Sequence, residues 1–207
     1  VVASEVVRLV TDVPRPATLP LVVASDVPKS FTAVAVAASD VLLLPTVLVV
    51  EATKEMYTLF RDVLSMLEVP ERNIFPAYSK DEAFDQYAKS NYDIVITDWL
   101  ANPDHGIALT KEIRTNSRSP NRFVPVIMTA GSGHLSRVIR ARDSGISEYL
   151  VKPFSAEGLA MRITRVIEHP RQFVIAPNYV GPERRIKDMP YESDDRRKEK
   201  PELITAP

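Results

Sequence analysis

Four polar residues each follow a short apolar run with the composition of a buried β-strand. They are Glu51 after Thr46–Val50, Asp98 after Asp93–Thr97, Thr129 after Val124–Met128, and Lys152 after Glu148–Val151. Two carboxylates, a hydroxyl and an ammonium at one sheet edge suit phosphoryl transfer to a carboxylate. An Asp oxygen can attack phosphorus to give an aspartyl phosphate. Because both reactants are anionic, catalysis then rests on positioning and charge neutralisation.

The elements that must position these residues alternate regularly along the chain. A fifth strand is predicted at Asn73–Ala77, and the apolar spacing between strands predicts four helices at Glu55–Leu67, Lys80–Ser90, 106–116 and His134–Asp143. A fifth helix is predicted to begin at the cap residue Ser155 and to reach Glu168. Five β–α units predict an α/β fold with a doubly wound parallel sheet and helices on both faces. Such sheets place their sites outside the carboxyl ends of the strands.

Five motifs within residues 46–168 carry a family resemblance. They are VLVVE at 47–51, DIVITDW at 93–99, Gly106 in the loop and helix after Asp98, VPVIMTAG at 124–131, and EYLVKPF at 148–154. This stretch resembles the receiver domain of two-component response regulators. The resemblance implies a flavodoxin-like fold of five strands and five helices, a histidine kinase or phosphotransfer protein as phosphoryl donor, and signalling by protein contact without an enzymatic output.

The resemblance also implies a role for each matching residue. Asp98 corresponds to the phosphoacceptor, Lys152 to the phosphate-binding lysine, Thr129 to the switch hydroxyl, and Tyr149 to an aromatic switch. The Lys152–Pro153 peptide bond is expected to be cis. Magnesium is expected at Glu51, at Asp98 and at the backbone carbonyl of Leu100. The carbonyl at Leu100 is the weakest match of the three, because Pro103 lies one place later in this loop than the corresponding proline of the family.

One position departs from the family pattern. The family has two acids after its first strand, whereas here Glu51 is followed by Ala52. A carboxylate is therefore missing, and either the longer Glu51 reaches the ion or water fills the gap. We expect weaker magnesium binding. Ala52 also supports a different hypothesis, in which the chain is a pseudo-receiver that binds partners without being phosphorylated.

Composition narrows the remaining function classes. The 207-residue chain has no cysteine, which excludes disulfides, zinc–cysteine sites and thiol nucleophiles. A formal net charge of -1 indicates no general attraction to nucleic acid or anionic membranes. We find no spanning segment or signal peptide, and we predict a cytoplasmic protein. A small hydrolase is poorly supported, because the sequence has no nucleophile elbow and no Gly-rich phosphate loop.

Two extensions flank the predicted receiver domain at residues 45–169. Residues 1–44 are rich in Val and Ala and are interrupted by prolines, so we predict an irregular segment. Residues 170–207 include a sign-balanced charged run and are predicted to be a solvated, disordered tail. The predicted output face is the fourth helix, fifth strand and fifth helix, made cationic by Arg137, Arg140, Arg162 and Arg165. It could bind an acidic partner or a second copy of the chain.

Overall fold

The computed structural model describes residues 45–99, 104–184 and 202–204. Five parallel strands form one sheet in the order β2-β1-β3-β4-β5. Their bounds are β1 Val47–Val50, β2 Ile74–Ala77, β3 Ile94–Asp98, β4 Val126–Ala130 and β5 Glu148–Val151. All four residues of β1 are buried, as expected for an apolar strand covered by helices on both faces. The predicted doubly wound α/β fold is confirmed.

Five α-helices cover the two faces of this sheet, and a short 3-10 helix at Glu71–Asn73 precedes β2. The helices are α1 Lys54–Met66, α2 Lys80–Tyr87, α3 His105–Thr115, α4 Leu135–Ser144 and α5 Ala156–Glu168. Helices α1, α2 and α5 begin at the hydroxyl caps Thr53, Ser79 and Ser155, each of which accepts a backbone N–H bond from the first turn. Helix α4 ends at Gly145, whose φ of 97° lies in the left-handed region.

Alternate strand residues fill two separate cores. Leu48, Val95 and Met128 point to the face packed by Phe84 of α2, Leu109 of α3 and Ala141 of α4. Val49, Ile96 and Ile127 point to the opposite face, against Phe60 and Leu64 of α1 and Leu159 of α5. This alternation follows from the two-residue period of a strand, which points successive side chains to opposite faces of the sheet.

Strand β4 lies two residues later than the prediction of 124–128. Pro125 has no N–H to donate, and the Val124 amide bonds the Asn121 carbonyl instead, so the strand begins at Val126. The later strand carries Thr129 inside β4, directly opposite Asp98 of β3. Helix α2 is also shorter than predicted, because the amides of Lys89 and Ser90 bond carbonyls three residues back in a turn.

The structure corrects the expectation of a disordered tail for part of residues 170–207. Strands β6 (Phe173–Ala176) and β7 (Tyr179–Pro182) form an antiparallel hairpin, and β8 (Glu202–Ile204) pairs with β6. The two apolar runs are joined by a two-residue turn, Pro177 and Asn178, which is the local pattern of a hairpin, whereas the expectation of disorder rested on the charged run that follows. Residues 1–44 and 185–201 lie outside the described part of the chain, so the predictions for them stay predictions.

Across the described ranges, no helix combines the length and the apolar character needed to cross a membrane.

Candidate functional site

The four predicted polar residues meet at the carboxyl edge of the sheet. Asp98 is the last residue of β3 and pairs with Thr129 of β4. Glu51 directly follows β1, which is the neighbour of β3 on its other side, and Lys152 directly follows β5. Parallel register therefore brings residues from four strands to one place, as the sequence pattern predicts.

The ammonium of Lys152 joins the two carboxylates. Its Nζ lies 2.9 and 3.1 Å from the Glu51 Oε1 and Oε2 atoms and 3.0 Å from the Asp98 Oδ1 atom. A lysine ammonium has three N–H donors, so these contacts can use all of them. The Lys152 amide donates to the Ala130 carbonyl at 2.8 Å, and the following bond to Pro153 is cis, as expected.

Glu51 is a buried acid. Its residue is only 2% exposed, and its backbone N–H donates to the Ala77 carbonyl at 3.0 Å, which fixes it to the end of β2. Burial raises the pKa of the Glu51 carboxyl, while the hydrogen bond and charge of Lys152 act against that rise. The site thus contains a negative charge that depends on Lys152 for compensation.

The hydroxyl of Thr129 lies between the same two carboxylates. Thr129 Oγ1 is 3.3 Å from Glu51 Oε1 and 3.4 Å from Asp98 Oδ1, and the residue is fully buried. A hydroxyl carries one proton, so Thr129 can donate to only one of them at a time. Its hydrogen bond can therefore change partner when the charge at Asp98 changes.

The carboxylates of this site offer a limited set of metal ligands. In the described residues, no group of three or more His, Asp or Glu side chains could hold a metal ion. Glu51 and Asp98 supply hard carboxylate oxygens, Ala52 is exposed and supplies none, and Leu100 lies outside the described residues. Magnesium is often bound through one or two carboxylates with water and phosphate oxygens completing the shell. The residues present fit such a site. Because only two carboxylates are available, water would have to supply more of the metal's ligands than in a site with three.

Gly106 allows helix α3 to approach the phosphoacceptor candidate closely. A Cβ atom at Gly106 would lie 2.3 Å from the backbone oxygen of Asp98. No side chain fits there, which gives a steric reason for the glycine in the family-like motif. The Gly106 amide also donates to the Trp99 carbonyl at 3.2 Å, which ties the start of α3 to the end of β3.

Sequence reasoning missed the contacts made by Trp99, the last residue of the DIVITDW motif. The guanidinium groups of Arg137 and Arg140, both on α4, lie 5.3 and 5.8 Å from the centre of its indole. Arg140 also forms an ion pair with Asp104, which precedes α3. These contacts depend on where α4 lies relative to the residue that follows β3, so no local signal in the sequence could have indicated them.

Tyr149 lies on β5 and is half-buried against the core that α2, α3 and α4 cover. Its hydroxyl donates to the Ser132 carbonyl at 2.6 Å, and burial raises the pKa of the phenol. The aromatic ring therefore connects β5 to the loop after β4. Its role as a switch stays a prediction.

Comparisons with known proteins agree with this architecture. Residues 47–164 match the model of the response regulator receiver domain. The chain is 30% identical over 122 residues to chemotaxis protein CheY1 of Helicobacter pylori, covering 58% of this chain and 95% of the relative. It is 32% identical over 78 residues to chemotaxis protein CheY of Pseudomonas aeruginosa, covering 38% of this chain and 61% of that protein.

Solved structures show the same fold. A response regulator receiver domain protein from Clostridium thermocellum has a TM-score of 0.52 and 25% identity, covering 60% of this chain and 95% of that one. Chemotaxis protein CheY4 of Vibrio cholerae has a TM-score of 0.53 at 23% identity, covering 59% and 98% of the two chains.

Proposed function

The chain belongs to the response regulator receiver domain family, and on that premise we propose that it accepts a phosphoryl group on Asp98 and signals through protein contacts. The observation that carries the proposal is the position of Lys152, whose ammonium contacts both Asp98 and the buried Glu51. A cation held between two carboxylates lowers the repulsion that an incoming phosphoryl group would meet.

The proposed reaction forms one bond and breaks one bond. An Asp98 carboxylate oxygen attacks phosphorus, and the bond from phosphorus to the donor breaks, releasing the imidazole of a phosphohistidine or the acetate of acetyl phosphate. Lys152 moves part of its hydrogen bonding from the carboxylate to a phosphoryl oxygen. Thr129 donates to a second phosphoryl oxygen, which removes its hydrogen bond from the carboxylates.

Magnesium would be held by the carboxylates of Glu51 and Asp98. When bound, the ion supplies charge neutralisation for the phosphoryl oxygens. Glu51 would then exchange part of its contact with Lys152 for a contact with the ion. Because Ala52 contributes no oxygen, we expect a lower affinity than in a site with a third carboxylate.

We propose α4, β5 and α5 as the surface that contacts a downstream protein or a second copy of the chain. Leu135 is 73% exposed and Met161 is 54% exposed, so this face offers apolar contacts. Its arginines are less available to bind an acidic partner than the sequence indicates, because several of them already form ion pairs within the chain. Arg162 and Arg165 lie 2.9 and 3.5 Å from the buried carboxylate of Glu148, and Arg140 is paired with Asp104.

A pseudo-receiver that works without phosphorylation is the alternative function. The observation that favours it is the missing acid at Ala52. In this reading the Lys152 ion pairs stabilise the sheet edge, and the protein binds its partners constitutively.

Intrinsic fluorescence can distinguish the two functions, because Trp99 is the chain's single tryptophan and directly follows Asp98. We expect beryllofluoride with magnesium to change the fluorescence in a saturable way. The change should be lost in Asp98→Asn and kept in Asp85→Asn, which alters an exposed acid on α2. A response that is absent, or that persists in Asp98→Asn, would support the pseudo-receiver.

A further inference from the structure

The C-terminal hairpin β6–β7 is built into the receiver domain through two glycines. A Cβ atom at Gly181 of β7 would lie 2.7 Å from the Cα atom of Gly145, and a Cβ at Gly145 would lie 2.6 Å from the Val180 carbonyl oxygen. Two backbones approach this closely only where both residues lack a side chain. The hairpin therefore docks directly on the turn that ends α4.

A buried arginine fastens the same region to α3. Arg114 donates from Nε to the Gly145 carbonyl at 3.0 Å and from Nη1 to the Arg122 and Val124 carbonyls at 2.7 and 2.8 Å. Phe173 of β6 covers this guanidinium, with its ring centre 5.1 Å away. The hairpin thus shields from water a cation that joins α3 to the end of α4.

A second arginine, Arg184, lies just after β7 and joins the hairpin to α4. Arg184 lies 3.2 Å from the carboxylate of Asp143, in the last turn of α4, and its guanidinium stacks 3.7 Å from the centre of the Tyr179 ring. The Glu183 amide donates to the Gln172 carbonyl at 2.7 Å, which closes the hairpin. The end of α4 is thus held by backbone, cationic and aromatic contacts together.

Helices α3 and α4 connect this hairpin to the phosphoacceptor candidate. Near their first turns, Arg137 and Arg140 contact Trp99, and Arg140 pairs with Asp104. Near their last turns, Arg114 and Asp143 contact the hairpin. A ten-residue helix such as α4 spans about 15 Å as a rigid rod. A displacement at the first turn therefore reaches the last turn.

We propose that the docked hairpin senses the state of Asp98, because α3 and α4 touch the residue after Asp98 at one end and the hairpin at the other. Phosphorylation changes how firmly the hairpin docks, and docking changes how readily Asp98 is occupied. This coupling rests on the proposed function. It would make the hairpin a second output element, separate from the α4–β5–α5 face.

Hydrogen–deuterium exchange on the full chain tests the coupling directly. Exchange is followed in peptides covering residues 171–184, with and without beryllofluoride and magnesium. We expect the exchange rate there to change about fivefold or more, the lower end of typical coupling between sites. A fluorescence response at Trp99 with unchanged exchange in 171–184 would overturn the coupling alone. No response at Trp99 would overturn the proposed function and the coupling with it.

A variant tests the reverse direction. Gly181→Ala places a methyl group against the Gly145 backbone and should loosen the hairpin, whereas Gly158→Ala adds the same group on α5, where it meets only the Ser155 hydroxyl at 3.4 Å. By reciprocity, we expect Gly181→Ala to shift the beryllofluoride midpoint about fivefold or more in either direction, and Gly158→Ala to leave it unchanged. Equal midpoints in all three chains would contradict the coupling.

Discussion

At the scale of single residues, the site depends on Lys152 more than on any other side chain. Glu51 and Asp98 are neighbours across β1 and β3, and both carry oxygens within 3.1 Å of the same ammonium. Glu51 is buried, so its charge is poorly solvated without that ammonium. The lysine that would bind a phosphoryl oxygen is therefore also the group that stabilises the carboxylates before transfer.

Replacing this lysine should weaken the fold as well as the site. We expect Lys152→Ala to lower the free energy of unfolding by about 2 kcal/mol, less than for a fully buried pair because Lys152 is partly exposed. Lys80→Ala is the control, because Lys80 also contacts two carboxylates, but one of them, Asp81, is highly exposed. It should cost about 0.5 kcal/mol. Urea unfolding measures both, and equal losses would argue against a special role for the buried Glu51.

Tyr87 gives a pH-dependent prediction. Burial raises its pKa from the ordinary value of 10.0 to about 12. Below pH 10 the phenol is protonated in both the folded and the unfolded chain. Between pH 10 and 12 the unfolded chain loses the proton while the folded chain retains it, so folding stability falls as pH rises.

The size of the Tyr87 effect is about 3 kcal/mol across this window, because one pKa unit corresponds to about 1.4 kcal/mol. Urea unfolding of the wild-type chain and Tyr87→Phe measures it. Since Arg114 is present in both chains, the difference isolates the phenol. We expect the stability of the wild-type chain to fall by about 3 kcal/mol relative to that of Tyr87→Phe as pH rises from 10 to 12. Parallel pH profiles would contradict the assignment.

At the scale of elements, Arg114 joins α3 to its surroundings with a fully buried charge. Burial lowers the pKa of its guanidinium to about 10, and its three hydrogen bonds satisfy carbonyls that belong to no regular element. Its partners lie on the loop before β4 and on the turn after α4. The arginine therefore determines how the ends of three segments meet.

We expect Arg114→Met to lower the free energy of unfolding by about 3 kcal/mol, because three carbonyls, two of them buried, lose a donor at about 1 kcal/mol each. Arg118→Met is the control, since Arg118 pairs with the exposed Asp85 and should contribute about 0.5 kcal/mol. Chemical denaturation of both variants is the measurement. A small loss in Arg114→Met would mean that water replaces the guanidinium.

Strand β4 shows what the sequence could and could not indicate about elements. The apolar run VPVIM correctly predicts a buried strand, since periodicity and β-branching are local properties. Its bounds were wrong by two residues because Pro125 removes a donor where pairing would begin. By contrast, Ser155 was correctly predicted as the cap of α5, because a cap depends on residues within one turn.

At the scale of the whole molecule, the folded unit extends beyond the family match. That match ends at residue 164, yet Phe173 and Val174 of the hairpin are buried. The core and the four residues of the site were predictable, because strand ends in a parallel sheet share one edge. The docked hairpin was not predictable, because it depends on contacts between residues far apart in the sequence. Gly145 meets Gly181, and Phe173 packs over the guanidinium of Arg114.

A chain shortened to end at residue 169 should be less stable by about 4 kcal/mol, because it loses two buried apolar side chains worth about 2 kcal/mol each. A chain that ends at residue 184 retains the hairpin and is the control. Thermal and urea unfolding compare the two. Equal stabilities would show that the hairpin is only loosely attached to the receiver domain.

Phosphoryl transfer to Asp98 is the central claim, and the mass of the intact chain after incubation with magnesium and acetyl phosphate tests it most directly. The expected result is a gain of one phosphoryl group in the wild-type chain and no gain in Asp98→Asn. An unchanged wild-type mass, or the same gain in Asp98→Asn, would contradict it.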